Sequence, residues 1–186
     1  MSRIDDLIAE LCPNGVEVTK LKDVARIRNG RDYKSFGPGD VPVYGSGGVM
    51  THIDTFAYDK PSVLIPRKGS LGNLFYVDNP FWTVDTIFYT EINAEKIQPK
   101  FLFYFLTTLD LAGMNQAGGV PSQTQSVLNE LRIPVPPIEI QREIVAILDK
   151  MEELKAELQA ELHARSRQYE YYRDKLMTFP ERSDSA

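Results

Sequence analysis

The sequence predicts an α+β fold, a small strand-rich domain followed by one long C-terminal helix. Three observations predict it. Six short runs of β-branched and aromatic residues lie between residues 16 and 90, each bounded by Gly, Pro, Asn or Asp. No Gly or Pro interrupts residues 138–179, which carry a heptad-like apolar stripe. Between these regions, Pro134-Val-Pro-Pro137 ends the last strand and opens the helix, because proline lacks an N–H and fixes φ. The expected domain spans residues 1–136, the helix 137–179, and a frayed tail 180–186.

The elements follow in order. Ile4, Leu7, Ile8 and Leu11 share one helical face over residues 2–11, with Ser2 placed as N-cap. Pro13-Asn14-Gly15 turns the chain. The strand-forming runs are Val16–Leu21, Val24–Arg28, Val41–Tyr44, Ser62–Ile65, Leu74–Val77 and Trp82–Thr90. After Pro99, residues Phe101, Leu102, Phe105, Leu106 and Leu109 recur at helical spacing. A Gly/Gln/Ser-rich segment, Asn115–Ser126, leads to a helical turn around Val127–Leu131 and a last strand at Arg132–Val135.

At 186 residues, with 42% hydrophobic and 10% aromatic content, the chain has room for one packed domain and an appendage. No run approaches the roughly 18 apolar residues of a membrane span, and no signal peptide precedes the first helix. The lone Cys12 has no internal disulfide partner, and His52 and His163 offer no metal-ligand spacing. The expected setting is cytoplasmic, without a bound metal and without a membrane.

Net charge is −5, which does not mark a polyanion binder, but its distribution does more. Between Lys20 and Lys34, six basic residues (Lys20, Lys22, Arg26, Arg28, Arg31, Lys34) face only Asp23 and Asp32. A local patch matters more than total charge for phosphate contact, because salt screens charges beyond about 10 Å. The same residues also suit a solvated strand pair with ordinary surface lysines.

In the helix, the apolar positions run Ile144, Ile147, Met151, Leu154, Leu158, Leu162, then Tyr169, Tyr172, Leu176 and Phe179, with Arg165 the one polar residue in the series. Steps of three and four alternate except at Leu158–Leu162, where a stutter locally unwinds a supercoil. A rod of this length is ~60 Å long. One apolar stripe cannot bury itself, so it implies a partner helix. A membrane-surface helix is disfavoured because the polar face is acidic.

Catalytic signatures are weak. Asn79-Pro80-Phe81-Trp82 lacks the second proline of the adenine-methyltransferase motif, and no glycine-rich cofactor turn accompanies it. It reads as a turn before a strand. Asp32-Tyr-Lys34 and Glu153-Leu-Lys155 match a nuclease-like D/E-x-K, but the first lacks an upstream acidic partner and the second sits on a helix surface. Neither histidine accompanies a serine elbow. No catalytic residue is expected.

Four segments occur together in order: Leu11-Cys-Pro-Asn-Gly-Val16; Ile65-Pro-Arg-Lys-Gly-Ser-Leu-Gly-Asn-Leu-Phe-Tyr-Val77 followed by Phe81-Trp-Thr-Val-Asp-Thr-Ile-Phe-Tyr89; Pro121-Ser-Gln-Thr-Gln-Ser126; and Pro-Pro-x-x-x-Gln-x-x-Ile-Val-x-x-Leu-Asp ending at Asp149. Across nearly the whole chain they resemble the specificity subunit of type I restriction-modification systems. Ile138 and Ile140 stand where the family usually has leucine and an acidic residue.

The resemblance implies a non-catalytic DNA target-recognition domain and a long helix that packs as an antiparallel coiled coil with a second copy or another half-subunit. Family members normally carry two such domains and two helices; one of each suggests a half-length form. The implied partners are double-stranded DNA, an adenine methyltransferase subunit and, in full systems, a restriction subunit. S-adenosylmethionine, magnesium and ATP would belong to those partners, with no cofactor on this chain.

Reading DNA needs phosphate contacts for position and groove contacts for specificity. Arg67, Lys68 and Ser70, around Gly69, suit phosphate, or form a plain hairpin turn. Arg28, Arg31, Tyr33 and Lys34 lie in or beside the Asn29–Lys34 loop, where an arginine can pair bidentately with guanine. Tyr44 and Ser46, in Tyr44-Gly-Ser-Gly-Gly48, read as a groove loop or as a turn carrying nothing. Gln123, Thr124 and Gln125 suit adenine or phosphate, or form a polar linker. The candidate dimerisation residues are Ile144, Ile147, Met151, Leu154, Leu158, Leu162, Tyr169, Tyr172 and Leu176. The rival function is an assembly adaptor that binds protein rather than DNA, without the steep salt dependence of counterion release.

Overall fold

The computed structural model describes residues 3–114 and 122–179. The expected tail at 180–186 and residues 115–121 of the Gly/Gln/Ser-rich segment lie outside them. The chain divides into two compact units, Met1–Val145 and Ala146–Ala186.

The first unit opens with helix α1 (Arg3–Leu11). Strand β1 (Val18–Lys20) pairs antiparallel with β9 (Arg132–Pro134), so the start and end of the domain are tied to each other. The run expected as one strand to Leu21 stops at Lys20, and Leu21–Val24 forms a helical turn, α2. Leu21 and Val24 are both buried, which a one-turn spacing allows and strand alternation does not. The Asp23 carboxylate fixes the turn by accepting the Lys20 N–H at 3.3 Å.

A four-stranded antiparallel sheet forms the centre, in the order β2 (Ala25–Asn29), β8 (Ile87–Ile92), β5 (Ser62–Pro66), β6 (Phe75–Val77). A smaller sheet holds β4 (Gly48–Ile53), β3 (Val41–Gly45) and β7 (Trp82–Thr83). The expected strand Trp82–Thr90 is therefore two strands. β7 runs parallel to β3, then the chain turns with the Ile87 N–H on the Val84 carbonyl and enters the other sheet as β8. β4 went unrecognised because its burial does not alternate; only Ile53 is fully buried. Gly48, at φ 114°, supplies the left-handed residue of the β3–β4 turn.

All five residues of β5 are buried, consistent with a central strand covered on both faces. Its polar residue Ser62 is satisfied by its neighbour on β8: Ser62 Oγ donates to the Thr90 carbonyl, and Thr90 Oγ1 donates to the Val63 carbonyl. Helix α3 (Pro99–Thr107) begins on proline as expected and buries Phe101, Leu102 and Leu106 against the main core. The helical turn α4 spans Gln125–Asn129, two residues earlier than expected, because the Thr124 hydroxyl caps it by accepting the Val127 N–H at 3.4 Å.

Helix α5 (Ile138–Met177) runs 40 residues without a break. The first compact unit reaches eight residues into it, past the expected boundary at 136/137, because Ile140, Gln141 and Val145 are buried. Ile144 also packs against the domain core. Its apolar surface is thus covered within the domain, unlike the rest of the proposed seam.

Candidate nucleic-acid interface

The outer face of the β2–β8 pair carries Arg26 and Arg28, with Arg31 just beyond it. On β2, Ala25 and Ile27 point into the core while Arg26 and Arg28 point out. Register places Arg26 opposite Glu91 and Arg28 opposite Tyr89. Beyond β2, the chain passes Gly30, where an added Cβ would lie 2.0 Å from the Val84 carbonyl oxygen. Only glycine lets the two backbones meet so closely. The Arg31 N–H then bonds the Thr83 carbonyl at 2.8 Å, and the Arg31 carbonyl accepts the Trp82 Nε1–H at 2.9 Å. Arg31 is therefore held in place through its backbone.

These residues line a concavity of about 690 Å³ together with Asn29 and Gln125. Gln125 Nε2 donates to Asn29 Oδ1 at 3.1 Å, which brings the α4 segment to the end of β2. Arg28 Nε lies 2.8 Å from Glu91 Oε1, a diagonal cross-strand ion pair whose hydrogen bond pushes the guanidinium pKa further up. Among the described residues no carboxylate pairs with Arg26 or Arg31.

A second cluster forms at the loop after β5. Arg67 and Lys68 both donate backbone N–H groups to the Thr86 carbonyl. The Arg67 guanidinium sits 5.7 Å over the Phe88 ring, and the Lys68 ammonium is 4.0 Å from Asp85. Gly69 adopts φ 79°. Ser46, at the tip of the β3–β4 hairpin, meets this loop: Asn73 Nδ2 donates to the Ser46 carbonyl and the Ser46 N–H bonds Thr86 Oγ1, both at 3.4 Å. The segment 122–125 joins from the other side, since Lys68 bridges Ser122 and the Gln123 N–H bonds the Arg67 carbonyl. Arg67, Lys68, Ser70, Ser46 and the residues before α4, far apart in sequence, thus form one neighbourhood.

Other expected site residues sit differently. Gln123 is buried, with its Nε2 on the Leu111 carbonyl, so its side chain serves the fold and presents no amide to a ligand. The Thr124 hydroxyl is the α4 cap. The Tyr44 ring stacks among Phe75 and Phe81, and burial pushes its phenol pKa up. Tyr33 packs against the Trp82 cluster, while Lys34 is exposed at a separate 340 Å³ depression with His52. The six-residue basic patch also divides: Lys20 and Lys22 both pair with Glu130, the latter at 2.9 Å, which lowers the Glu130 carboxyl and raises Lys22.

Sequence reasoning did not assign a role to Asn29, Tyr89 or Glu91. The signal that could have found Glu91 is cross-strand register, which a single sequence does not give. Among the described residues, no group of three His, Cys, Asp or Glu is arranged to hold a metal ion, and no helix is long and apolar enough to cross a membrane.

Along α5, Met151, Leu154, Leu158 and Leu162 line a shallow apolar depression with Lys155 and Gln159. Ile147 before it, and Tyr169, Tyr172 and Leu176 after it, are exposed on the same helix. The described residues thus combine a strand-rich domain bearing an arginine-lined concavity with a long helix whose apolar stripe is exposed.

The sequence matches the family described as Type I restriction modification DNA specificity domain over residues 13–164. A predicted type I restriction enzyme specificity subunit of Haemophilus influenzae is 32% identical over 159 residues, covering 77% of this chain and 40% of that protein. A predicted type I specificity subunit of Mycoplasma pneumoniae is 27% identical over 170 residues, covering 87% of this chain and 47% of its own length. The crystal structure of the type I restriction-modification S subunit from M. genitalium superposes with a TM-score of 0.66 at 18% identity, over 88% of this chain and 46% of that one. This chain belongs to the type I restriction-modification DNA specificity family. That family supplies DNA sequence specificity, and its members are specificity rather than catalytic subunits. The chain spans somewhat less than half the length of each of these three proteins.

Proposed function

We propose that this chain reads one part of a bipartite DNA site and directs a partner adenine methyltransferase to it, pairing through α5 with a second copy or another specificity half. The observation that carries the reading is the cationic concavity of Arg26, Arg28 and Arg31, built on a family DNA-specificity domain. The concavity offers backbone-phosphate contacts; the Arg67–Ser70 loop and the Ser46 hairpin tip beside it offer groups for a groove. The exposed stripe from Ile147 to Leu176 supports antiparallel helix pairing, with helix length setting the gap between half-sites. S-adenosylmethionine stays with the methyltransferase, and magnesium and ATP with a nuclease subunit where one is present.

The test is long-read mapping of N6-methyladenine in cells expressing the methyltransferase partner, with and without this chain. A split motif methylated only when the chain is present is the expected result. A symmetric motif would report pairing of identical copies, and an asymmetric one pairing with a different half. An unchanged methylation pattern, with both proteins confirmed present, overturns the reading.

A further inference from the structure

Three arginines face the concavity, yet one of them is already occupied. Arg28 and Glu91 are bonded at 2.8 Å, and their side chains remain 36% and 31% exposed. The pair therefore lies where an incoming anion can reach it. Glu91 projects from the same strand-pair face as Arg26, its register partner, so its carboxylate stands among the cations rather than at their edge. A phosphodiester resembles a carboxylate in presenting two acceptor oxygens to a guanidinium. An exposed carboxylate–guanidinium pair contributes little to stability, so an incoming anion can exchange with it at small cost to the fold.

Resting on the DNA-binding reading above, we propose that Glu91 is a built-in competitor for DNA phosphate, holding Arg28 until a duplex displaces it and so restraining binding to DNA of any sequence. A phosphate arriving at the concavity meets Arg26 and Arg31 first and must exchange with Glu91 to engage Arg28. The cost falls equally on all sequences, because phosphates carry no sequence information. Correct base contacts elsewhere offset it, so binding to random DNA is weakened in absolute terms while the ratio of cognate to random affinity is unchanged.

With Glu91→Gln, the phosphate at Arg28 no longer has to displace a carboxylate, so affinity rises while the number of phosphates neutralised, and with it the slope of log affinity against log salt, stays about the same. Affinity of the full chain for a random-sequence duplex, followed by fluorescence anisotropy across a salt series, should rise several-fold at low salt. In an Arg28→Gln background the same Glu91→Gln change should have little effect, because the competitor then has nothing to hold. Glu95→Gln, an exposed carboxylate outside the concavity, controls for charge removal alone. Thermal melting checks that each variant is folded.

If the unaltered chain binds with ordinary salt dependence while Glu91→Gln leaves affinity unchanged, the competitor role is overturned and the DNA-binding reading survives. A gain that persists undiminished in Arg28→Gln, or that Glu95→Gln reproduces in full, overturns it in the same way. Absence of binding by both the unaltered chain and Glu91→Gln at the lowest salt overturns both proposals.

Discussion

Gln141 shows how one buried amide can hold a domain to the root of a helix. Its Oε1 accepts the Gln98 N–H at 2.7 Å, and its Nε2 donates to the Lys96 carbonyl at 3.1 Å and the Pro136 carbonyl at 2.8 Å. Those partners lie before α3 and before α5, so the side chain ties the two helix starts together. Gln141→Leu keeps most of the volume but strands one donor and two acceptors away from water. A loss of roughly 2–4 kcal/mol is expected, measured by urea unfolding. A loss below about 1 kcal/mol would mean that water or a local shift satisfies the three backbone groups instead. The sequence flagged Gln141 only as a letter in a motif. Its three partners come from two other segments, and no periodicity points to them.

At the scale of elements, α5 was the most legible part of the chain and the β3–β4 hairpin the least. A helix declares itself through spacing within one segment, and Ile147 through Leu176 do so over many turns. A hairpin with an exposed outer strand has no such internal signature: Val49 and Met50 are exposed on β4, and only Ile53 is buried. The division of Trp82–Thr90 between two sheets was equally hidden, since both halves consist of good strand formers. The exposed seam makes a prediction of its own. Leu154→Asp with Leu158→Asp places charges at the centre of the stripe, where a facing helix would have to desolvate them. Light scattering should show self-association lost, while helix content measured by circular dichroism changes little. On the pairing proposed above, self-association that persists in the double variant would place the contact elsewhere on the chain.

Over the whole molecule, a net charge of −5 coexists with a strongly basic concavity, and the two statements concern different distances. Local arginines act on a phosphate at contact, while more distant charges are screened by salt. The composition alone therefore argued against a polyanion ligand that the fold can accommodate. Part of the candidate site's grouping was legible: Arg28, Arg31 and Gln125 line the concavity, and Arg67, Lys68 and Ser46 meet at the neighbouring loop. What could not be read was subtraction. Gln123 faces inward, Lys20 and Lys22 are engaged by Glu130, and Arg28 is engaged by Glu91. Each loss depends on a partner distant in sequence, so only the folded register reveals it.

The bond between the Trp82 indole and the Arg31 carbonyl has an optical consequence. Trp82 is the chain's single tryptophan, buried beside the Phe36 ring at 4.7 Å, and its indole N–H is bonded to the backbone of a concavity arginine. Selective excitation of that indole reads one location in the molecule, and that location abuts the cationic concavity. The protein thus carries an intrinsic, label-free probe whose emission colour and quenching report whether the Arg31 backbone keeps its place when a ligand arrives.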